Sequence, residues 1–379
     1  MKICQIVPSL ELRHGGPSIS VAALATAMGD AGRAVELLTT HPQTSGPRQQ
    51  GTLPIHCFKR VFPRSICRSP GLNQHLQHCD ATIIHHHSLW LRTLHYAATA
   101  VRTDQARRLI ISPRGMMSPW AWGHHRLQKQ FANAWIHPGA FESVSGWHAT
   151  SAIEADDIRR LGFKQPICVA PNGVTSPNAV ELAAAARHWH KACPKTATKP
   201  TALFYSRFHR KKRVLELIDL WLRIAPREWL LLLVGIPEEY SVSELSAYVQ
   251  RHSGAERIRI LSGADAPPPY AVAQLFLLPS HSENFGLVIA EAMAAGVPAL
   301  VTDTTPWHSI NDEGCGWCVP WEDYGATLQR ALSTSTTDLA AIGTHARDWV
   351  IKEFSWARSA DLLVGFYRNL QGQSNQSTT

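Results

Sequence analysis

The stretch that most constrains this chain runs from Phe276 to Val301, FLLPSHSENFGLVIAEAMAAGVPALV. A short apolar run closed by Pro279 reads as a strand covered on both faces, as in a parallel sheet. A polar loop, Ser280 to Asn284, follows. Leu287 to Ala295 has the Ala, Met and Leu content of a helix and is stopped by Gly296 and Pro298. Val297 to Val301 is apolar again, which completes strand–loop–helix–strand. Two carboxylates sit in this unit, Glu283 in the loop and Glu291 on the helix. Ligands of open α/β sheets bind outside the carboxyl ends of the strands, and Glu283 lies at such an end. Two helical turns span about 11 Å at 1.5 Å per residue, so the pair could grip two parts of one extended ligand. The spacing alone fits two solvated glutamates as well, the first near a helix start where negative charge suits the dipole.

A chain of 379 residues is long enough for two or more domains, each with its own core. Hydrophobic residues make up 45% and charged residues 17%, which places it among globular chains. It has no run of 18 uncharged apolar residues, so no membrane-spanning helix is expected. The start, MKICQIVPSL, reads as a first strand rather than a signal peptide. The eight cysteines, Cys4, Cys57, Cys67, Cys79, Cys168, Cys193, Cys315 and Cys318, are scattered. Cys315 and Cys318 form one CxxC with no second pair to complete a zinc site, so reduced cytosolic thiols and no metal are expected.

Net charge is +8, and its placement is informative. Residues 1–180 hold 18 Lys+Arg against 9 Asp+Glu, and residues 181–379 hold 19 against 20. The whole excess lies in the first half, which suits an anionic membrane surface, a phosphorylated lipid or a nucleic acid; a uniformly solvated basic face is the plainer reading.

Taken in order, strands are expected at Ile3–Val7, Val35–Thr39, Ala81–Ile84, Leu109–Ile111, Trp147–Thr150 and Ile167–Ala170. Helical spacing fills the intervals, at Ile19–Met28, Leu89–Val101, Leu127–Ile136 and Ala152–Leu161. Gly15 and Gly16, at the first strand-to-helix turn, could let backbone approach a phosphate, but the GxGxxG fingerprint is absent. Residues 43–51 read as a polar loop. Phe58 to His78 interleaves Lys59, Arg60, Arg64 and Arg68 with apolar residues, a pattern open to a lipid-headgroup surface or to a half-buried loop and helix. His85, His86 and His87 are consecutive and cannot share a face, so they do not suggest a three-ligand metal site, though one or two could line a cleft. The loop after Ile111 carries Arg114, Trp120 and Trp122, which suits sugar stacking and anion contacts or simple core packing.

Residues 175–200 change character and read as a domain boundary. A second strand–helix alternation follows, with strands at Ala202–Tyr205, Trp229–Val234 and Ile258–Leu261. The loop Ser206 to Arg213 carries five cations, Arg207, Arg210, Lys211, Lys212 and Arg213, and is expected to converge on an anion. Two such series give an α/β chain of two doubly wound domains facing each other. The polar tail from Gln371 is expected to fray.

These residues resemble the retaining glycosyltransferases of family GT4, over nearly the whole chain. The carriers are Glu283 to Glu291, an E-x7-E pattern written ENFGLVIAE and followed by EAMAAGVP, with Arg207, Lys212, Gly15 and Gly16. Pro171-Asn172-Gly173-Val174, Thr305-Pro306-Trp307 and Gly314 to Trp317 add to it. The SPRGMMSPWA and TPW…GCGW pieces are similar to the branch that builds bacterial lipopolysaccharide and other surface polysaccharides.

The resemblance implies the GT-B fold, two Rossmann-like domains with an interdomain cleft: residues 1–180 for the acceptor, residues 196–355 for the nucleotide sugar, and a last helix, 356–371, crossing back onto the first domain. It implies transfer of a sugar from a nucleotide-diphosphate donor, with retention and without a metal or other cofactor, to a lipid-linked or lipopolysaccharide acceptor. It places Arg207 and Lys212 on the diphosphate, Glu283 at the transferred sugar and Glu291 on the ribose. The backbone of Asn284, Phe285, Gly286 and Leu287 would cap sugar and phosphate, with Gly15, Gly16 and Asn172 as further donor contacts and His87, Arg114 and Trp120 as acceptor candidates. It also implies a cytoplasmic protein peripheral to the inner face of the cytoplasmic membrane, docked on anionic lipid through its basic half, with no nucleic-acid partner. Two departures stand out. Ser112-Pro113-Arg114 stands where many relatives carry a histidine, and Asn284 where Gly is commoner. Rival readings are another GT-B enzyme (a sugar-nucleotide epimerase or a phosphorylase) and a basic nucleic-acid binder, the last without any reading motif.

Overall fold

The computed structural model describes residues 1–11, 16–42, 53–123 and 126–372. Gly15, the polar loop expected over 43–51 and the tail from 373 lie outside these residues. The chain divides into two compact units, Met1–Gly173 with Ser355–Thr379, and Val174–Phe354.

The first unit is built on seven strands: β1 (Lys2–Ile6), β2 (Ala34–His41), β3 (Ile55–Lys59), β4 (Ile83–His87), β5 (Arg108–Ser112), β6 (Val144–Ala149) and β7 (Ile167–Val169). Their order is β3-β2-β1-β4-β5-β6-β7, and every pair is parallel. Successive side chains serve opposite faces. Ile84, Leu109 and Ile111 join a core with Leu72, Leu94 and Trp147, whereas Ile83 and Ile110 join one with Val21, Leu24 and Leu363. The second core is completed by the C-terminal helix Trp356–Gly372, whose Ala360, Leu363, Val364, Tyr367 and Leu370 recur at helical spacing against the helix Gly16–Asp30.

The second unit has six strands: β8 (Thr201–Tyr205), β9 (Leu230–Gly235), β10 (Ile258–Ser262), β11 (Leu275–Leu278), β12 (Ala299–Thr302) and β13 (Gly316–Val319). Their order is β10-β9-β8-β11-β12-β13, again all parallel. In each sheet the order reverses once, between β1 and β4 and between β8 and β11. Those reversals are where open α/β sheets leave a crevice at the strand ends.

Two strands are absent from the sequence reading. β3 is half exposed, so its apolar content is too diluted to register. β13 is only four residues long and opens on a glycine, which leaves little pattern to read; a Cβ on Gly316, at φ 151°, would stand 2.2 Å from the Ala299 carbonyl oxygen, so its first position depends on bare backbone. The boundary expected over 175–200 also needs correction. The chain divides between Gly173 and Val174, and the helix Ala179–Ala192 belongs to the second unit. Asn178 and Glu181 close its first turn in a reciprocal capping box. Trp189 is buried in that unit's core and donates its indole N–H to the Pro267 carbonyl at 2.9 Å. Among the described residues no helix is long and apolar enough to cross a membrane.

Candidate active site

The reversal point of the second sheet is lined by the loops that leave β8 and β11. The 3-10 turn Arg210–Lys212 after β8 delivers the Lys212 ammonium to the Glu283 carboxylate. Both side chains are about nine-tenths covered, at 9% and 10% exposure. The same Glu283 oxygen accepts from the Ser280 hydroxyl at 2.6 Å. Ser280 is itself fixed, because the Thr302 and Thr304 hydroxyls both donate to its carbonyl at 2.6 Å. Burial pushes the Glu283 carboxyl up, but the Lys212 charge and the bonds from Lys212 and Ser280 outweigh it, so its pKa lies below the ordinary value. Burial lowers the neighbouring Lys211, with Lys212 and Arg207 acting in the same direction against Glu283.

The five cations of this loop do not all converge: Arg207, Lys211 and Lys212 act on one another near Glu283, whereas Arg210 and Arg213 turn to other partners. A 3-10 turn advances about 120° per residue and sends consecutive side chains apart. Arg207 bonds Glu238 at 2.8 Å, Arg210 bonds Glu239 at 2.8 Å, and the Arg213 guanidinium lies 4.6 Å from the Trp321 ring centroid. Lys212 pairs directly with Glu283. Arg207, expected beside it, is half exposed and held by another acid.

The helix Leu287–Ala294 starts from Gly286, whose φ is 76°. A Cβ there would meet Ile289 Cδ1 at 2.8 Å, so this start favours glycine. Phe285 is a core residue: its ring packs on Trp307 and Phe354, and its carbonyl accepts the Trp307 indole N–H at 2.5 Å. Any part it takes in a donor site is therefore through its N–H. Asn284 and Leu287 stand on either side of Phe285 and Gly286. One helical face on, Glu291 accepts from the Tyr270 hydroxyl at 2.8 Å. Burial raises Glu291, opposed by that hydrogen bond. Tyr270 is pushed well up by burial and by Glu291, and its ring stands edge-on to Tyr205 at the end of β8. Ser280, Thr302, Thr304 and Tyr270 were not singled out from the sequence; each is far along the chain from the carboxylate it serves or lacks any local pattern to mark it.

The first unit's reversal point carries buried imidazoles beside the Arg114 guanidinium. His85 and His87 share one face of β4, and His86 points to the other, where it bonds the Ser88 carbonyl and the Thr93 hydroxyl. His85, His87 and His148 bring ring nitrogens within 4.8 Å of one another, a spacing that could hold a metal. Their nitrogens are already engaged. His148 Nε2 bonds the Ala170 carbonyl at 2.8 Å, and its Nδ1 faces His85 Nε2 at 3.3 Å. His85 Nδ1 bonds the Tyr367 hydroxyl at 2.6 Å, and His87 Nε2 bonds Gln5 Oε1 at 2.6 Å. His87 Nδ1 accepts from Arg114 Nη2 at 3.0 Å, and Arg114 Nη1 donates to Asn172 Oδ1 at 2.7 Å. In this structure each of these nitrogens is occupied by a hydrogen bond. Burial drives His85 and His87 well below the usual histidine range and His148 down to about 3.

His87, Arg114 and Asn172, placed separately by the sequence, are thus one cluster. Gly16 opens the helix Gly16–Asp30, and Trp120 is 51% exposed on the short helix Pro119–Gly123. In the interleaved segment Phe58–His78 most of the apolar residues turn inward. Leu72 and Leu76 are buried, and Arg60 is buried on the Pro8 and Thr40 carbonyls. Of its large apolar side chains only Phe62 stands out.

Residues 14–176 match the family described as Glycosyltransferase Family 4, and residues 199–338 match the one described as Glycosyl transferases group 1. An alpha-maltose-1-phosphate synthase of Mycolicibacterium smegmatis is 28% identical over 323 residues, 76% of this chain and 79% of that protein. Anabaena Alr3699/HepE, solved in complex with UDP and glucose, is similar with a TM-score of 0.75 and 18% identity, over 97% of this chain and 99% of that one. WaaG, a glycosyltransferase involved in lipopolysaccharide biosynthesis, is similar with a TM-score of 0.69 and 16% identity, over 96% and 100%. The two structural likenesses are likenesses of fold. The chain belongs to the GT4-like glycosyltransferases of GT-B fold.

Proposed function

We propose that this glycosyltransferase moves a sugar from a nucleotide-diphosphate donor to a lipid-linked or lipopolysaccharide acceptor, with retention and without a metal. The observation that carries the donor half is the pairing of Lys212 with Glu283 and of Tyr270 with Glu291 around one loop and helix start. Lys212 and the N-terminus of the helix from Leu287 supply positive potential for a departing diphosphate. Arg207 joins them once a ligand competes with Glu238. Glu283 faces the sugar and Glu291 the ribose. Retention without a covalent intermediate puts the acceptor hydroxyl on the face of the leaving phosphate, whose oxygen then takes its proton. The relatives crystallised with UDP and with UDP-glucose support the donor class.

The acceptor half rests on a surface. Leu127, Phe131 and Trp135 are 81%, 59% and 71% exposed. They recur every fourth residue along Arg126–Phe131 and the π-helical turn Ala132–Ile136, and Phe131 stacks on Trp135. No Asp or Glu lies between Asp104 and Glu142, a stretch that carries Arg107, Arg108, Arg114, Arg126 and Lys129. An exposed apolar stripe in a basic, acid-free stretch suits the headgroup layer of an anionic leaflet, here the inner face of the cytoplasmic membrane.

Thermal-shift screening against UDP-, GDP-, ADP- and CMP-sugars tests the donor, because binding stabilises by RT ln(1 + [L]/Kd). One sugar nucleotide should raise Tm in wild type and not in Lys212→Ala; indifference to all four rejects the donor reading. Sedimentation with vesicles of anionic and of neutral lipid tests the surface. Salt-sensitive binding to the anionic vesicles, lost in a Leu127→Asp, Trp135→Asp double variant, is expected.

A further inference from the structure

The buried polar cluster of the first unit has a single consistent assignment of protons. Ala170 offers only a carbonyl, so His148 Nε2 donates to it. Neutral His148 then presents a lone pair at Nδ1, which His85 Nε2–H fills. His85 Nδ1 must accept, so the Tyr367 hydroxyl donates to it. Tyr367 Oη in turn accepts from Gln5 Nε2 at 3.4 Å. Gln5 Oε1 accepts from His87 Nε2–H, which leaves His87 Nδ1 as the acceptor for Arg114. The chain thus begins at a guanidinium, which can only donate, and ends at a carbonyl, which can only accept. It crosses β1, β4, β6 and the C-terminal helix. Every link is neutral except the first.

That first link is a covered cation without a carboxylate on it. Arg114 takes part in no ion pair among the described residues and bonds only His87 and Asn172. Glu154 is the nearest acid to influence it. Its two oxygens are bonded by the Gly115 N–H at 2.6 Å, the Thr150 N–H at 2.7 Å and the Thr150 hydroxyl at 3.0 Å. Of the five guanidinium N–H groups, His87 takes Nε–H and one Nη2–H, and Asn172 takes one Nη1–H. One N–H on each terminal nitrogen meets no acceptor among the described residues. Arg114 stands at a left-handed φ of 54° just past β5, partly open to solvent. Two free N–H groups on a rigid fork match the two oxygens of a phosphoryl or carboxyl group.

We propose that Arg114, anchored by His87 and Asn172, binds an oxyanion carried by the acceptor, and that the neutral chain through Gln5, Tyr367, His85 and His148 holds it for that contact. This rests on the glycosyltransferase reading for the identity of the ligand, not for the site itself. Neutrality matters here, because a carboxylate in place of the chain would satisfy the guanidinium and leave nothing for a ligand.

The test uses full-length protein labelled with nitrogen-15 at the histidine rings, titrated separately with inorganic phosphate and with acetate. Before titration, His85, His87 and His148 should show the neutral Nε2–H form, unchanged from pH 8 to pH 5.5. A protonated ring, or Nδ1–H at His87, overturns the chain. Phosphate should then shift the His87 Nδ1 signal saturably, with at least about tenfold weaker binding in Arg114→Gln. A response to phosphate alone assigns a phosphoryl group, and one to both anions assigns oxyanions generally. No response to either, or one that survives in Arg114→Gln, overturns the site; the wild-type titration decides even if that variant does not fold. UDP binding, followed in parallel by thermal shift, separates the two readings. UDP binding without a phosphate response refutes only this site, whereas a phosphate response without any nucleotide binding refutes only the donor assignment.

Discussion

The two sheet reversals of this chain solve one problem with opposite chemistry. Both present polar groups at the carboxyl ends of parallel strands. The second unit does so with charges that neutralise one another, Lys212 on Glu283 and Arg207 on Glu238. The first does so with a run of neutral donors and acceptors that ends on a cation without a carboxylate contact. A charged pair is poised to exchange partners when a charged ligand arrives. A neutral chain cannot exchange; it can only hold an orientation. The same topology therefore offers one reversal point suited to stabilising a changing charge and one suited to recognising a fixed one.

The largest effect expected from breaking this contrast lies in the second unit. Glu283→Ala and Lys212→Ala should each lower transfer by about a hundredfold or more while circular dichroism stays native. Lys212→Ala also strands a buried carboxylate and should cost about 3 kcal/mol in denaturant unfolding. Full activity in either variant would falsify the catalytic assignment.

Acid separates the units next. Burial lowers His85, His86, His87 and His148 of the first unit, His86 and His148 down to about 3 from an ordinary 6.5. The unfolded chain takes up those protons below pH 6.5, so stability should fall as pH drops from there, by roughly 1.4 kcal/mol per ring per pH unit. Glu283 has a lowered pKa, so what it contributes is present above its ordinary 4.5 and is lost only as pH falls through its folded value. Urea midpoints measured from pH 8 to pH 4.5 should therefore drop, with part of the loss removed in a His86→Gln, His148→Gln variant and the rest left to His85, His87, His95 and His137. A flat midpoint across that range contradicts the neutral chain.

Smaller still is Tyr367→Phe. It leaves His85 Nδ1 without its donor and the Gln5 amide with only the Met28 sulfur as acceptor, at a cost of about 1–3 kcal/mol. An unchanged unfolding midpoint would mean that water replaces the hydroxyl. The mildest change is Glu291→Gln, which keeps a partner for Tyr270 and should weaken nucleotide-sugar affinity by about tenfold or less with kcat little altered; a loss confined to kcat would move Glu291 from ribose binding to the chemistry.

Much of this was legible in the sequence because it is local. Apolar runs separated by helical spacing mark most of the strands, and the segment from Phe276 to Val301 carries strand, loop, helix and strand in order. Glu283 and Glu291 were found because their spacing on one loop and helix is itself a sequence pattern. The exceptions have physical causes. β3 is half exposed and β13 is four residues opening on a glycine, so neither shows a clear strand pattern. The alanine-rich stretch after residue 175 looks like a linker by composition, yet Trp189 fastens it into a core. The cations from Arg207 to Arg213 are close in sequence, yet the turn Arg210–Lys212 sends Arg210 to Glu239 while Lys212 goes to Glu283.

By itself the sequence determined two parallel α/β series and the positions of the residues that could do chemistry, because period and turn residues act within a few positions. Only the tertiary structure decided which of them work together. Tyr367 reaches His85 from 282 positions away in the chain, and Tyr270 reaches Glu291 from 21. Hydrogen bonds are satisfied in space, and in a buried site each donor must find an acceptor wherever the fold brings one. That requirement joins Arg114, His87, Gln5, Tyr367, His85 and His148 into one chain, and no pattern along the sequence encodes it.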